Sequence, residues 1–210
     1  MVHISLQLLA LLPALAHAIP GTGCTTIGII TARASTESPG EGIIGRLAAL
    51  IQSESLQTVS RASVSYPARL FPYASSSAAG VAALTAIVLL GYSQGAHVLG
   101  DVLGGGGGTG LGKKTPAVAS EVADKVVAFI QMGDPRHTRD EPYHIGSAKN
   151  DGMFPRATDQ KLEGFASIGL SYCDRGDTFC DSGSDTDVHL RYTEVYNQQA
   201  LEFVLDRIGG

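Results

Sequence analysis

The chain has 210 residues, a length typical of one domain. Its apolar fraction of 44% is sufficient for a buried core and excludes intrinsic disorder. Fifteen Lys and Arg against twenty Asp and Glu give a net charge of −5 without a basic block, which argues against a nucleic-acid partner. No apolar run reaches the roughly 18 residues of a membrane-spanning helix, so we expect no membrane partner.

Residues 1–18 have the features of an export signal. The run from Ile4 to Leu15 is mostly Leu and Ala and is too short to cross a bilayer, and the Ala-His-Ala sequence at 16–18 is typical of a signal-peptidase site. No Lys or Arg precedes the run, and an ordinary buried helix is the alternative. We expect a signal peptide at 1–18, a secreted, extracellular protein, and a single domain at 19–210.

The rest of the chain alternates segments typical of strands and of helices. Apolar, β-branched runs predict strands at 25–31, 59–66, 87–90 and 126–132. Helical spacing predicts helices at 43–51, 75–86 and 96–103, and a C-terminal helix with an apolar face of Val195, Leu201, Val204, Leu205 and Ile208. Three segments lack these patterns: we interpret 33–42 as a loop, 104–112 as a flexible glycine tract and 136–163 as a long polar stretch. This alternation predicts an α/β fold with a mainly parallel sheet and helices on both faces.

Residues 91–95 (GYSQG) match the pattern G-x-S-x-G. The pattern follows a predicted strand and opens a predicted helix, which is the setting of a nucleophile elbow. There Ser93 would be held above the sheet edge as a nucleophile, and the backbone N–H of Gln94 would point to where an oxyanion forms. A serine in an ordinary glycine-rich turn is the alternative.

Three cysteines are present, at 24, 173 and 180. In an oxidising compartment Cys173 and Cys180 are expected to close an eight-residue ring, which the chain-entropy model values at about 2.5 kcal/mol. Free thiols and metal ligands are the alternatives, but no further ligands with suitable spacing lie nearby, so we expect no metal. Cys24 is left without a partner.

A serine hydroxyl needs a base and an acid that orients the base. Among six histidines His189 is the best candidate, because it comes late in the chain and the α/β-hydrolase order is Ser, acid, His. A surface histidine is the alternative. Asp177 is the preferred acid because the expected disulfide would fix its loop, and Asp174 and then Asp134 are the next candidates.

Several motifs occur in a specific order: GYSQGA at 91–96, QMGDP at 131–135, SYCD at 171–174, GDTFC at 176–180, and a late His189. From Cys24 to Ile208 the chain thereby resembles the fungal cutinase and acetylxylan esterase family, the serine esterases of carbohydrate esterase family 5. The resemblance implies a lidless, three-layer α/β-hydrolase sandwich.

The same resemblance implies roles for individual residues. The nucleophile falls on Ser93, the acid on Asp177 and the base on His189, and the oxyanion hole combines Gln94 with Ser35. Such an enzyme needs no cofactor, and we expect a monomer.

One departure from the family lies between Ala86 and Ile87. The predicted helix 75–86 continues directly into the strand 87–90, although a reversal between helix and strand needs at least about two residues. Relatives carry a longer connection there with a cysteine that pairs near the mature N-terminus, so the departure would also account for the unpaired Cys24. We hypothesise that a segment is missing at this point and that its loss strains the elbow.

Three alternatives for the function stay open. Residues 107–113 fit G-x-x-x-x-G-K, but Lys114 stands where a phosphate-binding loop has Ser or Thr, so a flexible surface loop is the better interpretation. Two ester substrates are possible for an esterase of this family. Deacetylation of xylan is favoured over hydrolysis of cutin and fatty-acid esters, because the chain has no Trp and the candidate loops have few large apolar residues. An inactive secreted binding protein on the same scaffold is the alternative of another class.

Overall fold

The computed structural model describes residues 26–74, 76 and 88–209. The predicted signal peptide at 1–18, Cys24, most of the predicted helix 75–86 and the hypothesised missing segment at Ala86 and Ile87 lie outside the described residues. None of the helices in the described ranges is long and apolar enough to cross a membrane.

The central layer is a six-stranded sheet in which every neighbouring pair is parallel. Its strands, in spatial order, are β2 (Thr58–Ser63), β1 (Thr26–Ala32), β3 (Val88–Tyr92), β6 (Ala128–Met132), β8 (Gly169–Tyr172) and β7 (His144–Ile145). The helices are α1 (Gly45–Glu54), α2 (Gln94–Gly104), α3 (Ser120–Ala123), α4 (Thr186–Leu190) and α5 (Tyr192–Ile208). Two 3₁₀ turns span Thr158–Gln160 and Glu163–Ile168.

Two hydrophobic clusters lie on opposite faces of this sheet. One contains Val88 and Leu90 of β3 together with the apolar sides of α1 and α5. The other contains Leu89 of β3 and the apolar side of α2. Successive side chains of a strand point to opposite faces, so a continuous apolar run such as β3 is buried on both sides. The predicted three-layer α/β-hydrolase fold is therefore confirmed.

Two details of the predicted elements are wrong. Val195 is 54% exposed, because only Leu201, Val204 and Ile208 of the predicted apolar face are buried in the core. The glycine tract is not merely a flexible loop, since β4 (Gly106–Gly108) pairs antiparallel with β5 (Gly112–Thr115). Gly110 at the turn has a φ of 76°, a conformation that glycine adopts without a steric penalty, and this permits the hairpin.

The polar stretch after β6 contributes charged side chains to the interior. Arg136 and Arg156 donate hydrogen bonds to the same oxygen of Asp101 on α2, at 2.7 and 3.0 Å, and Arg156 also lies 3.3 Å from Asp134. All four side chains are at most 3% exposed. Burial raises the pKa of Asp101, but His97 and the two guanidinium groups outweigh it and lower that pKa to about 2. These ion pairs connect the stretch to α2, the helix that directly follows Ser93.

Candidate active site

Ser93 lies in a sharp turn between β3 and α2. Its φ and ψ of 53° and −118° are unusual for a residue with a side chain, and its N–H donates to the carbonyl of Met132 at 2.7 Å. The flanking glycines make the turn possible. A Cβ on Gly95 would lie 1.9 Å from the carbonyl oxygen of Ala32, and one on Gly91 would lie 2.6 Å from the carbonyl oxygen of Gly95. The local geometry is that of a nucleophile elbow.

Asp177 and His189 form a hydrogen-bonded pair. The Nδ1 of His189 lies 2.8 Å from Oδ2 of Asp177, and both residues are buried. The other carboxylate oxygen of Asp177 accepts the N–H groups of Phe179 and Cys180 at 2.7 and 3.0 Å. Burial raises the pKa of Asp177, but the hydrogen bonds from His189, Cys180 and Tyr192 outweigh it and lower that pKa. A charged carboxylate therefore faces the imidazole.

The loop that carries Asp177 is fixed from several sides. The predicted disulfide between Cys173 and Cys180 is confirmed, with a Cα–Cα distance of 6.0 Å. Within the same loop Asp181 accepts N–H groups of Gly176 and of the residues at 149 and 150. Asp185 then caps the short helix α4, whose fourth residue is His189. Covalent and hydrogen-bonded constraints thus hold Asp177 and His189 in one arrangement.

The imidazole lies against the backbone that also holds the nucleophile elbow. A Cβ on Gly133 would lie 2.7 Å from Cε1 of His189, and Gly133 directly follows Met132, the residue that accepts the N–H of Ser93. The ring of Phe179 is 4.4 Å from the imidazole, centroid to centroid, and Phe179 also lines the cleft next to Ser93. The imidazole of His189 therefore packs on a residue of the cleft that Ser93 also lines.

This cleft has a volume of about 130 Å³ and contains both polar and apolar side chains. Its lining residues are Ser35, Leu70, Tyr73, Ser93, Pro135, Met153, Phe154 and Phe179. The hydroxyl of Ser35 is buried and makes no hydrogen bond to any described residue. An uncommitted donor at the cleft is what an oxyanion hole requires.

Gln94, the other predicted oxyanion residue, is the first residue of α2. The N–H groups in the first turn of a helix have no partner within the helix, so the N–H of Gln94 is of the kind that binds an anion. Its side chain is held by Ser76, at 3.0 Å, and by the carbonyl of Arg69, at 3.1 Å. These bonds fix the backbone directly after Ser93.

The two other candidate acids interact elsewhere. Asp174 accepts a hydrogen bond from Tyr196 at 2.9 Å, and Asp134 belongs to the buried ion pairs with Arg156. Among the described residues no group of three or more His, Cys, Asp or Glu side chains is arranged to hold a metal ion. The arrangement brings Asp177, rather than the other candidates, to the histidine.

Sequence reasoning missed Tyr192. Its hydroxyl donates to Oδ2 of Asp177 at 2.7 Å, the same oxygen that faces His189, and accepts the N–H of Asp174 at 2.8 Å. Burial, followed by the neighbouring carboxylate of Asp177, raises the pKa of this tyrosine, so it remains a donor. In the sequence, the position of Tyr192 three residues after His189 is the only indication of this contact, and such a spacing is too general to single out the residue.

Comparison with known proteins assigns the family. Residues 23–208 match the family model of Cutinase. The chain belongs to the cutinase family. This is a family of carboxylic ester hydrolases, so the predicted enzyme class and the predicted resemblance are both confirmed.

Individual relatives of this cutinase-family chain include both acetylxylan esterases and cutinases. An acetylxylan esterase of Hypocrea jecorina is 35% identical over 207 residues, which cover 86% of this chain and 67% of the relative. Cutinase 11 of Verticillium dahliae is 32% identical over 94% of this chain and 74% of its own length. A solved structure of an iodinated complex of acetyl xylan esterase superposes with a TM-score of 0.81 at 30% identity, covering 89% of this chain and 100% of that one.

Proposed function

We propose that this chain is a secreted serine esterase that removes acetyl groups from acetylated xylan by a Ser-His-Asp acyl-enzyme mechanism. The observation that carries the proposal is the hydrogen bond between Asp177 and His189, whose imidazole packs on Phe179 of the cleft that Ser93 lines. The similarity to acetylxylan esterases supports the substrate class.

In the proposed mechanism the hydroxyl of Ser93 attacks the ester carbonyl while His189 takes its proton. Asp177 holds the imidazole tautomer and stabilises the imidazolium. The imidazolium then gives the proton to the leaving sugar hydroxyl, and an acetyl group stays on Ser93. Water activated by His189 hydrolyses this acyl-enzyme, releases acetate and restores the serine.

The developing oxyanion would be stabilised by the N–H of Gln94 and the hydroxyl of Ser35. Two observations support these donors: the side chain of Gln94 is held by two hydrogen bonds, and the hydroxyl of Ser35 has no competing partner among the described residues. Losing one oxyanion donor is expected to raise the barrier by roughly 3 kcal/mol.

The size of the cleft favours a short acyl group. Its volume of about 130 Å³ is below the roughly 300–1,000 Å³ of pockets that enclose larger ligands. An acetyl group fits in such a space, whereas a fatty acyl chain would have to extend beyond it.

One observation favours the alternative, a cutinase that acts on cutin and fatty-acid esters. Leu70 and Met153 line the cleft and are 55% and 50% exposed, and Phe71 and Leu190, the chain neighbours of Leu70 and His189, are 90% and 55% exposed. These residues give the site more exposed apolar surface than the composition led us to expect. Such a surface suits a long acyl chain lying across the rim.

The proposed secretion depends on the sequence of residues 1–18 and agrees with the disulfide, since disulfides persist in oxidising compartments. N-terminal sequencing of the protein recovered from a culture medium tests it. A mature protein that begins at Ile19 is the expected result, and retention of residues 1–18 in the cell-associated protein contradicts it.

The deciding experiment for the enzyme is labelling with a fluorophosphonate probe, which reacts with activated serines. Labelling that is present in the native protein and absent in Ser93→Ala supports the esterase. A well-folded protein that is not labelled is instead the inactive binding protein. Rates with p-nitrophenyl acetate against a long-chain p-nitrophenyl ester, and acetate release from acetylated xylan, then separate the deacetylase from the cutinase.

A further inference from the structure

A second groove, larger than the catalytic cleft, lies next to it. Its volume is about 450 Å³, within the range of roughly 300–1,000 Å³ that is typical of ligand sites. One wall is the glycine hairpin, with Gly107, Gly108 and Thr109, and the opposite wall is the segment from Met153 to Ala157.

The groove and the catalytic cleft share two residues. Met153 and Phe154 line both spaces, so a ligand that fills the groove lies directly beside the position of the scissile ester. The ring of Phe154 is held in a stack on Tyr73 at 5.4 Å, centroid to centroid. The partition between the two spaces is therefore an ordered aromatic side chain.

The hairpin wall is anchored to the helix that begins at the nucleophile. Gln160 donates to the carbonyl of Gly106 at 2.7 Å and accepts from Arg136 at 2.7 Å, and Arg136 in turn donates to Asp101 of α2 at 2.7 Å. Gln160, Arg136 and Asp101 are all buried. Because this chain of hydrogen bonds is enclosed, the groove keeps its shape without a ligand.

The chemistry of the groove selects an uncharged ligand rich in hydroxyl groups. Both cations that line it are already paired, Lys114 with Asp159 at 2.7 Å and Arg136 with Asp101, so no uncompensated charge is offered to a phosphate. A Cβ on Gly108 would meet nothing within 4 Å, so the space beside this residue is open. The hydroxyl of Thr109 and the aromatic ring of Phe154, both in the lining, together suit a sugar chain better than a fatty acyl chain.

We propose that this groove binds the polysaccharide main chain of the substrate, so that the sugar units next to the acetylated unit lie between the glycine hairpin and the segment Met153–Ala157. The inference builds on the proposed deacetylase function and adds the place where the polymer is held. It accounts for the glycine at 108, because a side chain there would extend into the open space beside the hairpin.

The test is calorimetric titration of an unacetylated, β-linked xylo-oligosaccharide into Ser93→Ala, which measures binding without hydrolysis. Ala157→Leu and, on the opposite wall, Thr109→Leu each place a branched aliphatic side chain at the groove. Such a side chain fills space but offers a sugar neither a ring nor a hydrogen bond, and both positions are exposed. Ala62→Leu on the edge strand β2 is the matched control, since Ala62 is exposed and lines neither space. All three are made in the Ser93→Ala background, and circular dichroism verifies their folding.

We expect one oligosaccharide to bind per chain, at least tenfold weaker binding in each groove variant, and a change of less than twofold in Ala62→Leu. Absence of binding to Ser93→Ala, or unchanged affinity in a folded groove variant, overturns the proposal. Binding of a long-chain fatty alcohol in place of the oligosaccharide also overturns it and assigns the groove to the acyl chain. Failure of the esterase function itself is distinguishable, because it shows as absent fluorophosphonate labelling of the native serine.

Discussion

The hydrogen bonds around Asp177 predict the outcome of Asp177→Asn. One carboxylate oxygen accepts two backbone N–H groups, those of Phe179 and Cys180, so the amide NH₂ of an asparagine cannot occupy that position. The NH₂ must face His189, whose Nδ1 then has to act as an acceptor. The ring proton moves to Nε2, and an imidazole in that tautomer cannot take the proton of Ser93.

The expected loss is large in catalysis and small in folding. A wrong tautomer in a serine triad lowers kcat by about 10⁴-fold, which corresponds to roughly 5 kcal/mol of activation free energy. The free energy of unfolding should fall by only about 1–3 kcal/mol, because the backbone donors keep an acceptor and lose only its charge. The assay is kcat/KM for p-nitrophenyl acetate, with urea denaturation of the same preparation.

Asp174→Asn is the matched control, since Asp174 is three residues away and is also hydrogen-bonded, to Tyr196 and Ser147. It should change kcat/KM by less than about threefold, because its partners are outside the cleft. Retention of more than a tenth of the activity by Asp177→Asn, or an equal loss in Asp174→Asn, would refute the assignment of the acid.

Three further predictions concern the supports of the site. Folding lowers the pKa of Asp177, because its hydrogen bonds outweigh the effect of burial. The charged carboxylate therefore stabilises the folded protein above the unfolded pKa of about 3.9, and this stabilisation is lost as the pH falls through the folded pKa. Tyr192→Phe removes one hydrogen bond to this carboxylate and should lower the free energy of unfolding by about 1.5–3 kcal/mol near pH 7. The loss should be smaller in acid, where the carboxylate is protonated. Urea titrations at both pH values measure it, and equal losses would count against this reasoning. Replacing Cys173 and Cys180 together by Ser should cost about 2.5 kcal/mol in the same assay and also lower kcat/KM, and an unchanged midpoint would contradict it. Gly95→Ala should lower kcat/KM about 10²-fold, because the new Cβ would clash with the carbonyl of Ala32 in β1 and displace the elbow. Wild-type activity of this variant would show that the turn tolerates a side chain there.

Local sequence signals were sufficient for the strands β1, β2, β3 and β6, for the helices α1, α2 and α5, and for the elbow. They predicted neither β7 nor β8 at the edge of the sheet. The β-branched run at 25–31 and the apolar run at 126–132 form strands within about two residues of their predicted bounds. The pattern at 91–95 forms a tight turn between strand and helix. These features depend on the conformational preferences of adjacent residues, which the sequence states directly.

Which carboxylate is hydrogen-bonded to His189 was only partly accessible in this way. Asp134, Asp174 and Asp177 all lie between Ser93 and His189, and Asp174 and Asp177 share one loop, so chain order alone does not distinguish them. The path of the loop through the disulfide and the cap of α4 turns Asp177 inward and leaves Asp174 with Tyr196.

The sequence by itself determined the α/β fold and the elbow at Ser93, because each depends on residues that are neighbours in the chain. Only the tertiary structure decided the role of Tyr192, the pairing of the glycine hairpin and the groove beside the cleft. Each of these arises where segments distant in sequence meet, and the side-chain packing at such a meeting depends on distances and directions that no local pattern contains.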